Sequence, residues 1–366
     1  MSFWLVNGIF FLSSFVLAAL STPLFRRIAY RFHLLDTPAS APERKLQTQP
    51  IPLLGGWAIF FSFTMVILLG AWLGWFQDGV ISAKALYGVL LGGGLIMVGG
   101  TIDDKWGVGP AKQLIWSFLA CAIVVVSGIG ISFITNPFGG ELRLDTLSWS
   151  VFTMNDISYQ FVVWADLLTL AWLMGMMYTT KLLDGLDGLV SGVGAIASLI
   201  LFGVTQLQDV QQATTGYIAL ALAGACLGFL IYNFSPAKIY LGQGGSLLIG
   251  FFLGVLSIVS GGKIATALLV MGIPILDVAW VILRRVIIEK RSPLSADRKH
   301  LHFRLLDVGF SHRGAVLFLY LLTALFGSAT LFFRGVAKLY ALGALLLVMC
   351  ALGIWLVRRY QGFNKS

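Results

Sequence analysis

The sequence predicts an all-α, polytopic membrane protein of about eleven transmembrane helices, with the N-terminus outside and the C-terminus in the cytoplasm. Three observations predict it. Of 366 residues, 58% are hydrophobic and 11% charged, with a mean hydropathy of +0.89, whereas a soluble domain carries about 25% charge. Apolar runs recur at close to the length of about 20 residues that spans a hydrocarbon core about 30 Å thick. The basic residues between the runs collect on alternate loops, as cytoplasmic loops do. A soluble enzyme, a fibrous protein and a disordered chain are thereby excluded. Residues 1–366 are expected to form a single transmembrane domain, with its largest polar insertion in the loop 284–313.

The runs follow in order. The first, 3–24, has no charge ahead of it and meets its first basic residue only at Arg26, which is unlike a cleavable signal peptide. The second, 51–75, opens on Pro50-Ile51-Pro52-Leu53-Leu54-Gly55-Gly56, and the third, 85–101, is glycine-rich and ends at Thr101-Ile102-Asp103-Asp104. The fourth, 113–135, follows Gly109-Pro110-Ala111-Lys112-Gln113-Leu114. In the outside loop 136–160, Gly139-Gly140 and alternation from Glu141 to Trp149 predict a small hairpin. Spans 161–179 and 188–205 bracket Asp184-Gly185-Leu186-Asp187-Gly188-Leu189, and spans 216–233 and 246–262 bracket the segment from Asn233 to Ser246. Span 264–283 contains Asp277, two turns before Arg284 and expected to pair with it or with Lys112; spans 314–333 and 338–357 complete the set. Glycines dispersed through these runs suit close helix packing. Cys121, Cys226 and Cys350 lie in separate runs and indicate no disulfide framework.

With the loop after the first span in the cytoplasm, 20 of the 25 lysines and arginines lie on that side. The net charge of +9 is then accounted for by topology and anionic lipid headgroups, and no nucleic-acid partner is needed. All four histidines and 10 of the 16 acids share that face, although the positive-inside rule does not ask it of them. An active site assembled from several cytoplasmic loops follows.

Four segments carry chemistry. Asp103 and Asp104 are adjacent carboxylates, tolerated when Mg²⁺ or a cation holds them together; a solvated helix end is the plainer reading. Asp184 and Asp187 stand three apart, on one face if helical, with glycines that permit close ligand approach. From Asn233 through Lys238 to Gly242-Gln243-Gly244-Gly245-Ser246, a glycine-rich helix start offers backbone N–H groups to a phosphate, and Lys238 adds charge. Finally, Asp297-Arg298-Lys299-His300-Leu301-His302 lacks the Cys or third His of a zinc site. It reads as a cationic phosphate clamp, or more simply as a lipid-binding basic segment.

Together these segments resemble the polyprenyl-phosphate N-acetylhexosamine-1-phosphate transferases of glycosyltransferase family 4. The resemblance spans about residues 30–310 and includes Arg44-Lys45 and the Pro50–Gly56 run. About eleven spans and the His-x-His after Asp-Arg are similar to the UDP-GlcNAc branch. The resemblance implies transfer of a hexosamine-1-phosphate from a UDP-N-acetylhexosamine to polyprenyl phosphate, GlcNAc-1-phosphate being favoured. UMP is released, in a plasma membrane and on its cytoplasmic face; membrane lipids are partners and a homodimer is a form the family allows. It implies that Asp103, Asp104, Asp184, Asp187, His300 and His302 are catalytic. Arg44, Lys45, Lys112, Lys181, Asn233, Lys238 and Arg298 are implied to bind substrate, and Asp104, Asp184 and Gln243 to hold Mg²⁺.

Four positions depart from the family pattern. Gln243 stands where a magnesium-binding Asp is usual, Lys181 where Asn is, Gln47 where His is, and Phe303 where a further His is. The first two raise the formal site charge by two, the charge of one Mg²⁺. Lys181 is therefore expected to take over part of the diphosphate neutralisation, with Mg²⁺ weakened or shifted. A catalytically silent relative that holds a lipid phosphate or scaffolds an assembly is the alternative. A secondary transporter fits less well, because it predicts similar halves and charge near the bilayer midplane.

Overall fold

The computed structural model describes residues 3–37, 49–136, 138–154, 157–260, 264–290 and 299–363. Arg44, Lys45, Gln47 and Arg298, expected at the site or departing from its pattern, lie outside the described residues. Each apolar run coils into helix, the form that satisfies backbone polar groups within a segment in lipid. In order these are α1 (Phe3–Arg31), α2 (Gly55–Trp72), α3 (Ala83–Trp106), α4 (Pro110–Val126), α5 (Val163–Leu183), α6 (Leu189–Thr205), α7 (Ala213–Asn233) and α8 (Gly242–Val259). After them come α9 (Ile264–Val270), α10 (Gly272–Leu283), a π-helical turn (Arg284–Ile288), the short loop helix α11 (Leu301–Asp307), α12 (His312–Phe332) and α13 (Val336–Phe363).

Among the described residues, α1, α2, α3, α7, α8, α12 and α13 are each long and apolar enough to cross a membrane, and α9 with α10 makes up to eight. The chain is an all-α, multi-pass membrane protein by length and composition. The remaining runs of the expected eleven are α4, α5 and α6, of which α4 and α6 are short apolar helices.

Two runs differ from expectation. The run 264–283 is broken, α9 and α10 being bent by 84°. The break falls just before Gly272, and Pro274 in the first turn of α10 has no N–H to continue a helix through it. The run 113–135 stops helical at Val126, where Ser127 closes the last turn and Gly128 takes φ 98°. Beyond it, β3 (Phe133–Thr135) pairs antiparallel with β4 (Glu141–Arg143), and β5 (Ser148–Met154) pairs with β6 (Ile157–Val162). The expected hairpin is therefore two short ribbons.

The centre is α8. Of its most apolar window 89% is buried, against 17% for α13, so α8 faces protein and α13 is free to face lipid. Phe252 packs on Phe63 of α2 with ring centroids 4.3 Å apart. Close to its N-terminus, α8 touches α2 and α3 backbone to backbone. A Cβ on Gly100 would fall 2.2 Å from the Gly244 Cα, and one on Gly56 would fall 2.3 Å from the Gly245 Cα. These crossings exist only because no side chain intervenes. They bring the end of α3, with Asp103 and Asp104, against the first turn of α8. Thr180 pins α5 to the same turn, its hydroxyl donating to the Ser246 carbonyl at 2.8 Å.

Candidate active site

The first turn of α8 collects the residues expected around the phosphates. The Gln243 backbone N–H donates to both carboxylate oxygens of Asp104, at 3.1 and 3.2 Å. A carboxylate is favoured there because the unpaired N–H groups of a helix start carry partial positive charge. Part of the donor set expected to face a phosphate is thus already engaged by Asp104. Buried Asp103 accepts from the Val108 N–H at 3.0 Å and from the Gln113 amide nitrogen. The Gln113 amide oxygen in turn accepts from the Lys181 ammonium. Lys181 lies within electrostatic reach of both Asp103 and Asp104, so one half-buried cation faces two carboxylates. Lys112 sits exposed on the first turn of α4. Its neighbour Gln113 is the residue of that motif that reaches inward.

The loop between α5 and α6 is the hub. Asp184, exposed to solvent, accepts from the Ser246 hydroxyl and so faces α8. Asp187 faces the other way, its carboxylate accepting from the Ala237 N–H at 3.0 Å and from the Tyr240 hydroxyl. Burial, then the charge of Asp187, pushes the Tyr240 phenol up and keeps it a proton donor. Asp187 and Tyr240 line a cavity of about 480 Å³ together with Arg26, Tyr30, Lys238 and His312. The Arg26 Nε is buried without a hydrogen-bond partner among the described residues, and its guanidinium carbon lies 5.9 Å from the Tyr30 ring centroid. Asn233 is buried beneath this loop. Its amide oxygen accepts from the Ser191 hydroxyl at 2.8 Å and its nitrogen donates to the Ile239 carbonyl at 3.0 Å, so both ends brace the protein.

The histidines close the third side. His300 Nδ1 lies 2.9 Å from the Asp277 carboxylate, whose other oxygen accepts from the Leu301 N–H at 2.8 Å. Asp277 was expected to pair with Arg284 or Lys112; its partner is His300 instead, while the Arg284 Nε lies 3.4 Å from Glu289. The start of α11 lies against α10, so that both the His300 ring and the Leu301 N–H reach Asp277. His302 stacks on His300 at 5.6 Å and 8°. Neither of its ring nitrogens has a hydrogen-bond partner among the described residues. A Cβ on Gly185 would lie 2.2 Å from His302 Nε2, so the imidazole abuts the acidic loop. Burial, reinforced by His300 and His312 against Asp277, pushes His302 down to about 3, leaving the ring neutral at working pH.

Among the described residues, no cluster of three or more His, Cys, Asp or Glu is arranged to hold a metal. Magnesium is usually held by one or two carboxylates with substrate phosphates and water completing its shell. Asp104, bonded to the Gln243 N–H, Asp184, bonded to the Ser246 hydroxyl, and the Gln243 amide oxygen fit that donor chemistry. Lys181 beside Asp104 competes with it.

A model of glycosyl transferase family 4 matches residues 86–261. The decaprenyl-phosphate N-acetylglucosaminephosphotransferase of Mycolicibacterium smegmatis is 36% identical over 350 residues, covering 88% of this chain and 81% of the relative. The chain belongs to glycosyl transferase family 4. A second member, a probable undecaprenyl-phosphate N-acetylglucosaminyl 1-phosphate transferase of Bacillus subtilis, is 30% identical over 86% of the chain and 82% of its own length. A phospho-N-acetylmuramoyl-pentapeptide-transferase of Desulforudis audaxviator is 29% identical over 85% and 91%. This family member adds Gln113, Asp277, Arg26, Tyr240 and His312 to the residues its motifs singled out. Asp277 carried its own signal, a lone acid in an apolar run, while Gln113 and Tyr240 lie inside quoted segments without being singled out there.

Proposed function

We propose that the chain transfers N-acetylglucosamine-1-phosphate from its UDP-activated form to a polyprenyl phosphate, undecaprenyl phosphate or a homologue, releasing UMP and starting an envelope polysaccharide. The observation that carries this reading is the meeting of Asp103, Asp104 and Lys181 at the first turn of α8, across the acidic loop from a nucleoside-sized cavity. An oxygen of the lipid phosphate bonds to the β-phosphorus as the bond from that phosphorus to UMP breaks. A phosphate monoester, with a second pKa of about 6, is already largely ionised at neutral pH, so positioning and charge neutralisation dominate.

Lys181, held by Gln113, balances the charge of Asp103, Asp104 and the incoming phosphates. Asp187, Lys238, Tyr240 and Arg26 receive the nucleotide, and His300 and neutral His302, with Arg298, contact the diphosphate. Arg44, Lys45 and Lys112 add cationic charge around the two substrates. Asn233 braces the cavity floor, a supporting role in place of the expected substrate contact. Mg²⁺ held by Asp104, Asp184 and the Gln243 amide would polarise the phosphoryl oxygens. Residues 1–366 form one unit in the plasma membrane, alone or as a homodimer. Its eleven spans put the N-terminus outside and the site on the cytoplasmic face, supported by the 20 to 5 division of basic residues. Retention of all four carboxylates and both histidines disfavours the silent relative. The test is UMP release from UDP-sugars in the presence of polyprenyl phosphate.

A further inference from the structure

Of the four histidines, His33 and His312 are used by neither the motifs nor the reaction, and His312 lines the cavity. It is the first residue of α12. Ser311 caps that helix, accepting from the Gly314 N–H at 3.1 Å, and this fixes where the first turn points. Three bonds then run from α12 to the site. His312 Nε2 accepts from the Asp187 N–H at 2.8 Å, and the Arg313 Nε donates to the Ser235 carbonyl at 2.8 Å. One face further along, the Tyr320 hydroxyl donates to the Gly188 carbonyl, and it fills the space beside Gly192 that a side chain there would need. The acidic loop and the Ser235–Lys238 loop both line the cavity and are joined by the Asp187–Ala237 bond, and α12 holds both.

We propose that His312 is a positioning residue for the transfer reaction, setting the Asp187 carboxylate by holding the backbone N–H of the same residue. The argument is one of hydrogen-bond accounting. The Asp187 N–H is half-buried in a tight loop, and without an acceptor it would turn to find another, carrying its side chain with it. An imidazole accepts at Nε2 only with its proton on Nδ1, so the neutral ring in one tautomer does this. Arg313 holds the Ser235–Lys238 loop from the next position, so one helical turn anchors both partners of the Asp187–Ala237 bond.

This inference rests on the transferase reading for its kinetic test, but the bond itself can be followed without turnover. In purified full-length protein, His312→Ala should lower kcat/KM for the UDP-sugar about tenfold, the usual size for one lost hydrogen bond to a functional loop. The KM for polyprenyl phosphate should not move. His312→Gln, whose amide oxygen still accepts, should recover most of the loss, whereas His312→Leu should not. Equal activity of the Gln and Leu variants, or an unchanged Ala variant, overturns the proposal. Hydrogen exchange over residues 184–190 gives the second readout: faster exchange in the Leu than in the Gln variant supports the bond, and equal exchange overturns it. If the wild type releases no UMP from any UDP-sugar, the transferase reading fails, while the exchange comparison still decides the role of His312.

Discussion

Gly185 and His302 meet so closely that no side chain fits between them: a Cβ on Gly185 would lie 2.2 Å from His302 Nε2 and 3.0 Å from the Phe303 ring. His302 is 1% exposed and stacked on His300, which Asp277 holds in turn. It has nowhere to go. Gly185→Ala should therefore displace the loop that carries Asp184 and Asp187, because overpacking a fixed neighbour costs about 1–3 kcal/mol. We expect at least a tenfold fall in kcat/KM with a lowered melting temperature; wild-type kinetics in that variant would show that the contact does not constrain the site.

The chain from Lys181 through Gln113 to Asp103 puts a cation where a second metal charge would otherwise be welcome. Converting Lys181→Asn with Gln243→Asp removes one positive charge and adds one negative charge near Asp104, lowering the formal charge by two. The double variant should need about tenfold less magnesium for half-maximal UMP release, the scale of change seen when the surroundings of a metal are altered. An ordinary magnesium requirement in the native protein, left unchanged by the double variant, rules out compensation by Lys181.

The buried, neutral state of His302 has a consequence for pH. The unfolded chain takes up a proton at this residue near the ordinary histidine value of about 6.5, whereas burial holds the folded chain back until about 3. Between those values the unfolded state binds more protons, so stability falls as pH falls from 6.5 towards 3. Melting temperatures of wild type and His302→Gln followed over that range should converge at the acid end. Parallel curves would mean that His302 is protonated in the fold.

How far the site could be read from sequence follows from where its charges sit. In an apolar chain a carboxylate pair stands out, so Asp103, Asp104, Asp184 and Asp187 are candidates from the sequence alone. The helical runs were legible too, because lipid leaves the backbone little choice. The partners were not legible. Asp277 bonds to His300, and a lone acid cannot announce a partner 23 positions away. In the Gly109–Leu114 segment the charge of Lys112 drew attention, yet the inward residue is the uncharged Gln113. Arg26 and His312 come from the first and twelfth helices, outside the motifs, and reach the cavity only through packing. The break before Gly272 was obscured because hydropathy averages across Pro274 as if the run were continuous.

The most direct measurement places the purified protein in lipid with undecaprenyl phosphate and a panel of UDP-sugars, reading UMP with and without a chelator. The account predicts UMP release with UDP-N-acetylglucosamine, dependent on the polyprenyl phosphate and diminished by the chelator. No release with any UDP-sugar, in protein that remains folded, would contradict it.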